Sequence, residues 1–270
     1  MSAGLTSPEA DDAGGPAPVL AARHLTRRFG RVTALDDATL EVYAGGVTCL
    51  LGDNGAGKST LIKVLAGVHP PTEGAVEVDG RAVVLGSPRD AQRHGIAVVY
   101  QDLAVIPLMS VWRNFFLGRE PTVGHGPLRR LDAAACRAAT RDALHDFAIR
   151  IDDVDRPLGT LSGGERQSVA IARAVHAGAR ALILDEPTAA LGVRQAGLVL
   201  EHIRRVRDAG VGVLLVTHNP RHAREAGDAF VVLRRGRVAA RFRRGEVEAA
   251  GLIELMAGVA DPPEGRAGRE

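Results

Sequence analysis

Nine residues, Gly52-Asp53-Asn54-Gly55-Ala56-Gly57-Lys58-Ser59-Thr60, restrict the fold of this chain more than any other stretch. They fit the pattern G-x-x-x-x-G-K-S, and their surroundings give it meaning. Residues 47–51 (Val-Thr-Cys-Leu-Leu) have the apolar character of a buried strand, and residues 59–66 open a helix. In a strand-loop-helix unit of this kind, glycines let successive backbone N–H groups turn inward around phosphate oxygens. The helix N-terminus adds partial positive charge. Lys58 is expected to reach the β- and γ-phosphates of a nucleotide, and the Ser59 hydroxyl to be a ligand of Mg²⁺. The chain reads as a nucleotide-binding protein.

A second apolar run, residues 181–184 (Ala-Leu-Ile-Leu), ends in two adjacent carboxylates, Asp185 and Glu186. Asp185 at the strand tip is expected to hold Mg²⁺ through its water shell. Glu186 is expected to face the attacking water as general base. Paired acids after a strand are otherwise common as a solvated turn, so the pair alone decides nothing. It has company upstream. Leu161-Ser162-Gly163-Gly164-Glu165-Arg166-Gln167 opens a helix, with Ser162 suited to the N-cap and Glu165 in the first turn.

The LSGGERQ string, the phosphate loop and the Asp-Glu pair together resemble the ATP-binding cassette (ABC) family, over residues 19–258. The resemblance implies an α/β fold: a P-loop NTPase cassette with a parallel RecA-like core, an antiparallel β layer and an α-helical subdomain inserted at about 102–160. It also implies roles. Gln101, after the strand 96–100, matches the glutamine that touches Mg²⁺ and senses a membrane partner. His218, after 213–217, matches the switch histidine at the γ-phosphate, where a lone histidine would otherwise be a structural group. Phe29 sits where the family stacks an aromatic on adenine; local packing is the plainer alternative. Aromatics make up only 3% of the chain, which favours stacking. The expected catalytic set is therefore Glu186, His218, Gln101 and Lys58. The cofactors are ATP and Mg²⁺, the metal held by Ser59, Gln101 and Asp185. The nucleotide contacts are Phe29, residues 52–60, and Ser162, Gly163 and Gly164.

One position departs from the family. Where most members carry an aspartate that helps couple two ATP sites, this chain has Gly192. Either the coupling is weaker or carried by backbone, or this branch does without it.

At 270 residues and 46% apolar content the chain can bury the core of one cassette. Lys and Arg total 34 against 32 acids, a net of +2, which gives no electrostatic argument for nucleic acid. Cys49 and Cys136 lack metal-ligand spacing and read as small core residues in a reduced compartment. No apolar run approaches the ~20 residues needed to span a bilayer. Residues 1–18 and 259–270 read as disordered tails, the first without the features of a signal peptide. The expected location is cytoplasmic, peripheral on the inner face of the membrane through a permease.

Strands are expected at 19–25 and 39–42, a hairpin at 76–85 turning on Asp79-Gly80, and a short helix capped by Ser87 and closed by Gly95. The lobe is expected to hold helices at 110–116 and 132–147. After it come strand 181–184, helix 194–208, strand 211–217, a hairpin at 229–242 and a last helix at 246–257. No internal repeat appears. A single cassette that resembles this family implies a second copy of itself, with ATP held between the phosphate loop of one subunit and Ser162 and Gly164 of the other.

Residues 87–103 and 114–120 resemble the monosaccharide-import branch, and 189–192 fit its single-cassette members. The expected function is the ATPase subunit of an importer for a simple sugar, with a membrane permease and an extracytoplasmic sugar-binding protein as partners. Transport of a non-sugar substrate is the alternative. A soluble ABC ATPase acting on DNA or ribosomes is disfavoured, since neither a heptad run nor a second cassette is present; a non-catalytic cassette is disfavoured by the presence of Glu186 and His218. A groove lined by Gln101, Leu103, Leu108, Met109 and Trp112 is expected to receive a short permease helix; the alternative is that its apolar side chains are the lobe's own core, as is expected of Phe115 and Phe116.

Overall fold

The computed structural model describes residues 17–257; the expectations for the two tails lie almost wholly outside them. The chain opens with β1 (Leu20–Phe29) and β2 (Val32–Val42), then β3 (Val47–Leu51), the phosphate loop and α1 (Lys58–Leu65). The hairpin β4 (Glu73–Val78) and β5 (Arg81–Val83) precedes α2 (Pro88–Arg93) and β6 (Ile96–Val99). The lobe contains α3 (Val111–Phe116), a small hairpin of β7 (Thr122–Val123) and β8 (Arg130–Leu131), and α4 (Ala133–Asp146). The chain returns through α5 (Gly163–His176), β9 (Ala181–Asp185), α6 (Val193–Asp208), β10 (Gly212–Val216) and α7 (Pro220–Ala226). It ends in β11 (Ala229–Arg234), β12 (Arg237–Arg243) and α8 (Ala249–Ala257).

Two sheets carry the architecture. The larger has the order β12-β11-β3-β10-β9-β6, with every pairing parallel except β11 to β12. The smaller, β2-β1-β4-β5, is antiparallel throughout. Strands β3 and β10 are buried along their whole length, as parallel strands covered on both faces must be. Their alternation feeds two layers. Leu50, Ile183 and Leu214 face the antiparallel sheet and α1. Cys49, Leu51, Leu182, Leu184, Val213 and Leu215 face α5, α6 and α8. Each such side chain removed from water contributes about 1.5–3 kcal/mol, so a charge at Leu214 would break both the strand and the layer beneath it. A third cluster, from Val111, Trp112 and Phe115 to Leu144, Leu158 and Val169, is the lobe's own core.

The turn chemistry is as the sequence predicts. Asp79 and Gly80 both take positive φ between β4 and β5, Ser87 caps α2 with Pro88 at its first position, and Asp132 caps α4. Three features differ. β1 and β2 run to Phe29 and from Val32, well past the expected ends, because the pairs Arg27–Leu35, Arg28–Thr33 and Phe29–Val32 continue the ladder across register shifts. The β7–β8 hairpin has no run of alternating residues long enough to announce it. The last helix begins at Ala249, since Glu246 accepts the backbone N–H of Arg243 in a turn. Both cysteines are free and buried, as expected. Among the described residues no helix is long and apolar enough to cross a membrane.

Candidate active site at the edge of the parallel sheet

Parallel strands deliver their C-terminal ends to one edge, and there four of them release the residues singled out by sequence. The register aligns Leu50 of β3 with Val216 of β10, Val216 with Asp185 of β9, and Leu184 with Val99 of β6. The phosphate loop, His218, the Asp185-Glu186 pair and Gln101 therefore follow neighbouring strand tips, spread over about 14 Å. A crevice beyond such tips is where open α/β sheets bind ligands.

The phosphate loop is held by contacts that exclude larger residues. Gly52 has φ +151, and a Cβ there would lie 2.3 Å from the Leu233 carbonyl oxygen. Gly57 has φ +108, and a Cβ would meet the Ala34 carbonyl at 2.7 Å. Asp53, Asn54 and Gly55 are exposed and Ala56 is buried. At α1 the N-cap Gly57 offers no side-chain oxygen and the first turn holds no acid. Its free N–H groups and dipole are left for an anion. The Lys58 ammonium folds over the loop, donating to the carbonyls of Gly52 at 2.5 Å and Asp53 at 3.0 Å. Ser59 is exposed and Thr60 half-buried in the same turn.

Glu186 and His218 meet: Nδ1 lies 2.8 Å from Oε1. The Glu186 N–H donates to the Val216 carbonyl at 2.9 Å, which ties the two strand tips together. Asp185 is half-buried. Burial and the adjacent Glu186 push its carboxyl above the ordinary aspartate range, while Lys58 and Lys63 pull it back. This excess of negative charge suits a divalent cation, and the Ser59 hydroxyl and Gln101 amide are oxygen donors of the type such an ion takes. Among the described residues no cluster of three or more His, Cys, Asp and Glu forms a cage of its own. That donor set fits Mg²⁺ shared with phosphates better than a dedicated protein site.

Phe29 stands at the end of β1, 42% exposed. The Arg27 guanidinium lies 4.6 Å from its ring centroid and His69 meets it edge-on at 5.4 Å. Arg27, two residues back on the same strand, is the local packing that is the alternative to stacking, while His69 arrives from a distant segment. Ser162 caps α5, accepting from the Glu165 N–H while Glu165 accepts the Ser162 N–H, a reciprocal capping box. Gly163 and Gly164 pack on Leu191 and Gln195 at the start of α6.

The expected groove is corrected. Trp112 is 2% exposed, its indole N–H donating to Asp155 at 2.8 Å with Arg113 and Arg137 stacked near its ring. It belongs to the lobe's core. Leu108 is 91% exposed and flanks a small recess with Met109, away from β6. The groove between sheet and lobe, about 480 Å³, is lined instead by β6, Ala104, Phe115, Phe116, Leu117, Arg119 and Arg173.

Sheet order and phosphate loop together define a nucleotide-binding α/β protein of the P-loop class. The ABC transporter family model matches residues 35–189. The chain is 40% identical to the fructose import ATP-binding protein FrcA of Rhizobium meliloti, covering 91% of this chain and 96% of that protein. It is 41% identical to the xylose/arabinose import ATP-binding protein XylG of Sulfolobus acidocaldarius, over 88% and 93% respectively. In fold it is similar to a dimeric, post-hydrolysis structure of the ATP-binding cassette MJ0796 bound to ADP and Pi. The TM-score is 0.69 at 23% identity, covering 84% of this chain and all of that one. The chain belongs to the ABC transporter family, as an ATP-binding and ATP-hydrolysing cassette.

Proposed function

We propose that this chain is the ATPase subunit of an importer for a simple sugar. The observation that carries the chemistry is the meeting of Glu186 and His218, at 2.8 Å, beside the Lys58 loop and the Asp185 tip. The sugar reading draws its support from the two relatives covered over more than nine-tenths of their length, both named as sugar import proteins.

In this mechanism the N–H groups of residues 52–60 cradle the phosphates, and Lys58 leaves the loop's carbonyls for the β- and γ-oxygens. Phe29 turns its face to the adenine once Arg27 moves off it. Glu186 takes a proton from the attacking water, and His218 orients that carboxylate and reaches the γ-phosphate. Ser59, Asp185 and Gln101 would hold Mg²⁺, which when bound neutralises charge on the phosphates. Positioning and charge stabilisation supply most of the rate. With one phosphate loop and one signature per chain, two copies related by a two-fold axis complete two sites, Ser162 and Gly164 serving the partner's nucleotide. The groove beside β6 would take a cytoplasmic segment of a permease. That contact would hold the chain at the inner membrane face, and an extracytoplasmic sugar-binding protein would supply the substrate.

A Lys58→Ala copy tests this reading. It should lose nucleotide binding when purified, and in cells it should fail to restore uptake of the sugar served by the adjoining permease. Normal pentose and hexose uptake in a deletion strain, with ATPase activity intact in vitro, would leave the chain with a non-sugar substrate.

A further inference from the structure

Beneath the signature segment, at the contact of α5 with α6, lies a polar pair in otherwise apolar surroundings. Ser168 Oγ is 2.8 Å from the Gly164 carbonyl oxygen and 2.7 Å from Nδ1 of His202. Ser168 is 1% and His202 7% exposed, beside Ala170, Ile171, Val199 and Ile203. Apolar residues would fill this interface with no desolvation penalty, so the pair calls for a role. Burial lowers the affinity of His202 for a second proton, an effect that Arg205 adds to and Glu201 opposes. The single Ser168 proton goes to the Gly164 carbonyl, so a neutral imidazole that carries its proton on Nδ1 donates it to Ser168 Oγ. One side chain on α6 thereby supports the Ser168 hydroxyl in the second turn of the signature helix.

The first turn of that helix is held by shape. A Cβ on Gly163 would lie 2.8 Å from Leu191 Cδ2, and one on Gly164 3.1 Å from Gln195 Cβ. Side-chain size cannot correct a small slip here, so hydrogen bonding one turn deeper must fix the register. We infer that Ser168 and His202 are positioning residues for the signature segment, holding the N–H groups of residues 162–164 in the geometry a second subunit's γ-phosphate requires. This rests on the proposed two-copy ATP site. Neither residue touches nucleotide in that arrangement; both act through Gly164.

The test uses the full purified chain and four variants: Ser168→Ala, His202→Leu, the double variant, and His202→Asn, whose side-chain N–H can donate near the place of Nδ1. Turnover is measured over a range of ATP, nucleotide affinity by titration with a fluorescent ATP analogue, and ATP-driven dimerisation in a Glu186→Gln background. Ser168→Ala and His202→Leu should each lower kcat about five- to tenfold and weaken the dimer, with the double variant no worse than either single. Nucleotide affinity should not change, since it is set by the loop at 52–60. His202→Asn should turn over near the wild-type rate. Ser168→Ala turnover within about twofold of wild type would overturn the inference, and so would nucleotide affinity falling in step with kcat. His202→Asn as slow as His202→Leu would also overturn it. Glu186→Gln alone separates the two levels: if it still hydrolyses ATP, the proposed site fails, and if it is dead while Ser168→Ala is normal, only this inference fails.

Discussion

His218 Nδ1 lies 2.8 Å from Glu186 Oε1, and the same carboxylate receives the Thr217 hydroxyl at 3.4 Å on its other oxygen. Two consecutive residues after β10 therefore fix one side chain after β9. Glu186 takes φ +49, a left-handed conformation that a non-glycine residue enters at a cost of roughly 1–2 kcal/mol. Its N–H bond to Val216 holds it there. Strain at this residue aims the carboxylate out of the sheet edge, where a base for an attacking water belongs.

Asp185 gives a prediction about stability against function. Its folded-state carboxyl is raised by burial and by Glu186. A raised acid stabilises the fold when protonated, at low pH, and that contribution is lost as pH rises through the folded value. Asp185→Asn should therefore raise the melting temperature of the nucleotide-free protein at neutral pH. The difference should vanish as pH falls below the ordinary aspartate value near ~3.9. Mg²⁺-dependent hydrolysis should fall sharply in the same variant. A lower melting temperature at pH 7 would contradict this account.

Gly192 is the N-cap of α6 with φ −65 and open space around its Cα, and no side chain caps the helix. Aspartate fits this backbone without strain. Gly192→Asp should stabilise by a few tenths to about 1 kcal/mol through capping and the helix dipole. Denaturant unfolding measures that gain. The Hill coefficient of ATP hydrolysis then shows whether the added carboxylate also couples the two sites.

Trp112 and Leu117 separate packing from docking. Trp112→Asp should destabilise by at least about 3 kcal/mol, because a charge would enter the lobe's core. Leu117, 41% exposed on the rim of the groove, should accept Asp within about 0.5 kcal/mol. It should keep ATP binding yet lose association with the permease in a pull-down. Normal association would move the docking surface elsewhere.

The strand-tip residues were legible because each stands at the close of a short apolar run: Gly52 after β3, Gln101 after β6, Asp185 at the end of β9, His218 after β10. Parallel pairing then brings them to one edge without further information. Trp112 was misread for a physical reason. A tryptophan in a short apolar stretch reads equally as anchor or core, and only the distant Asp155 and Arg137 show which. The same limit hid the packing of His69 on Phe29, and of Ser168 with His202, 34 residues apart. The β7–β8 hairpin, with two residues per strand, carries too little alternation to be read.

The most direct measurement is single-turnover ATP hydrolysis by Glu186→Gln, set beside its nucleotide affinity. Amide for carboxylate keeps size and the bond to His218 but removes the proton acceptor. Hydrolysis should fall by at least about a hundredfold while ATP binding persists and a stable ATP-bound dimer accumulates. Turnover within a few-fold of wild type would show that Glu186 is not the base and that the strand-edge site is wrongly assigned.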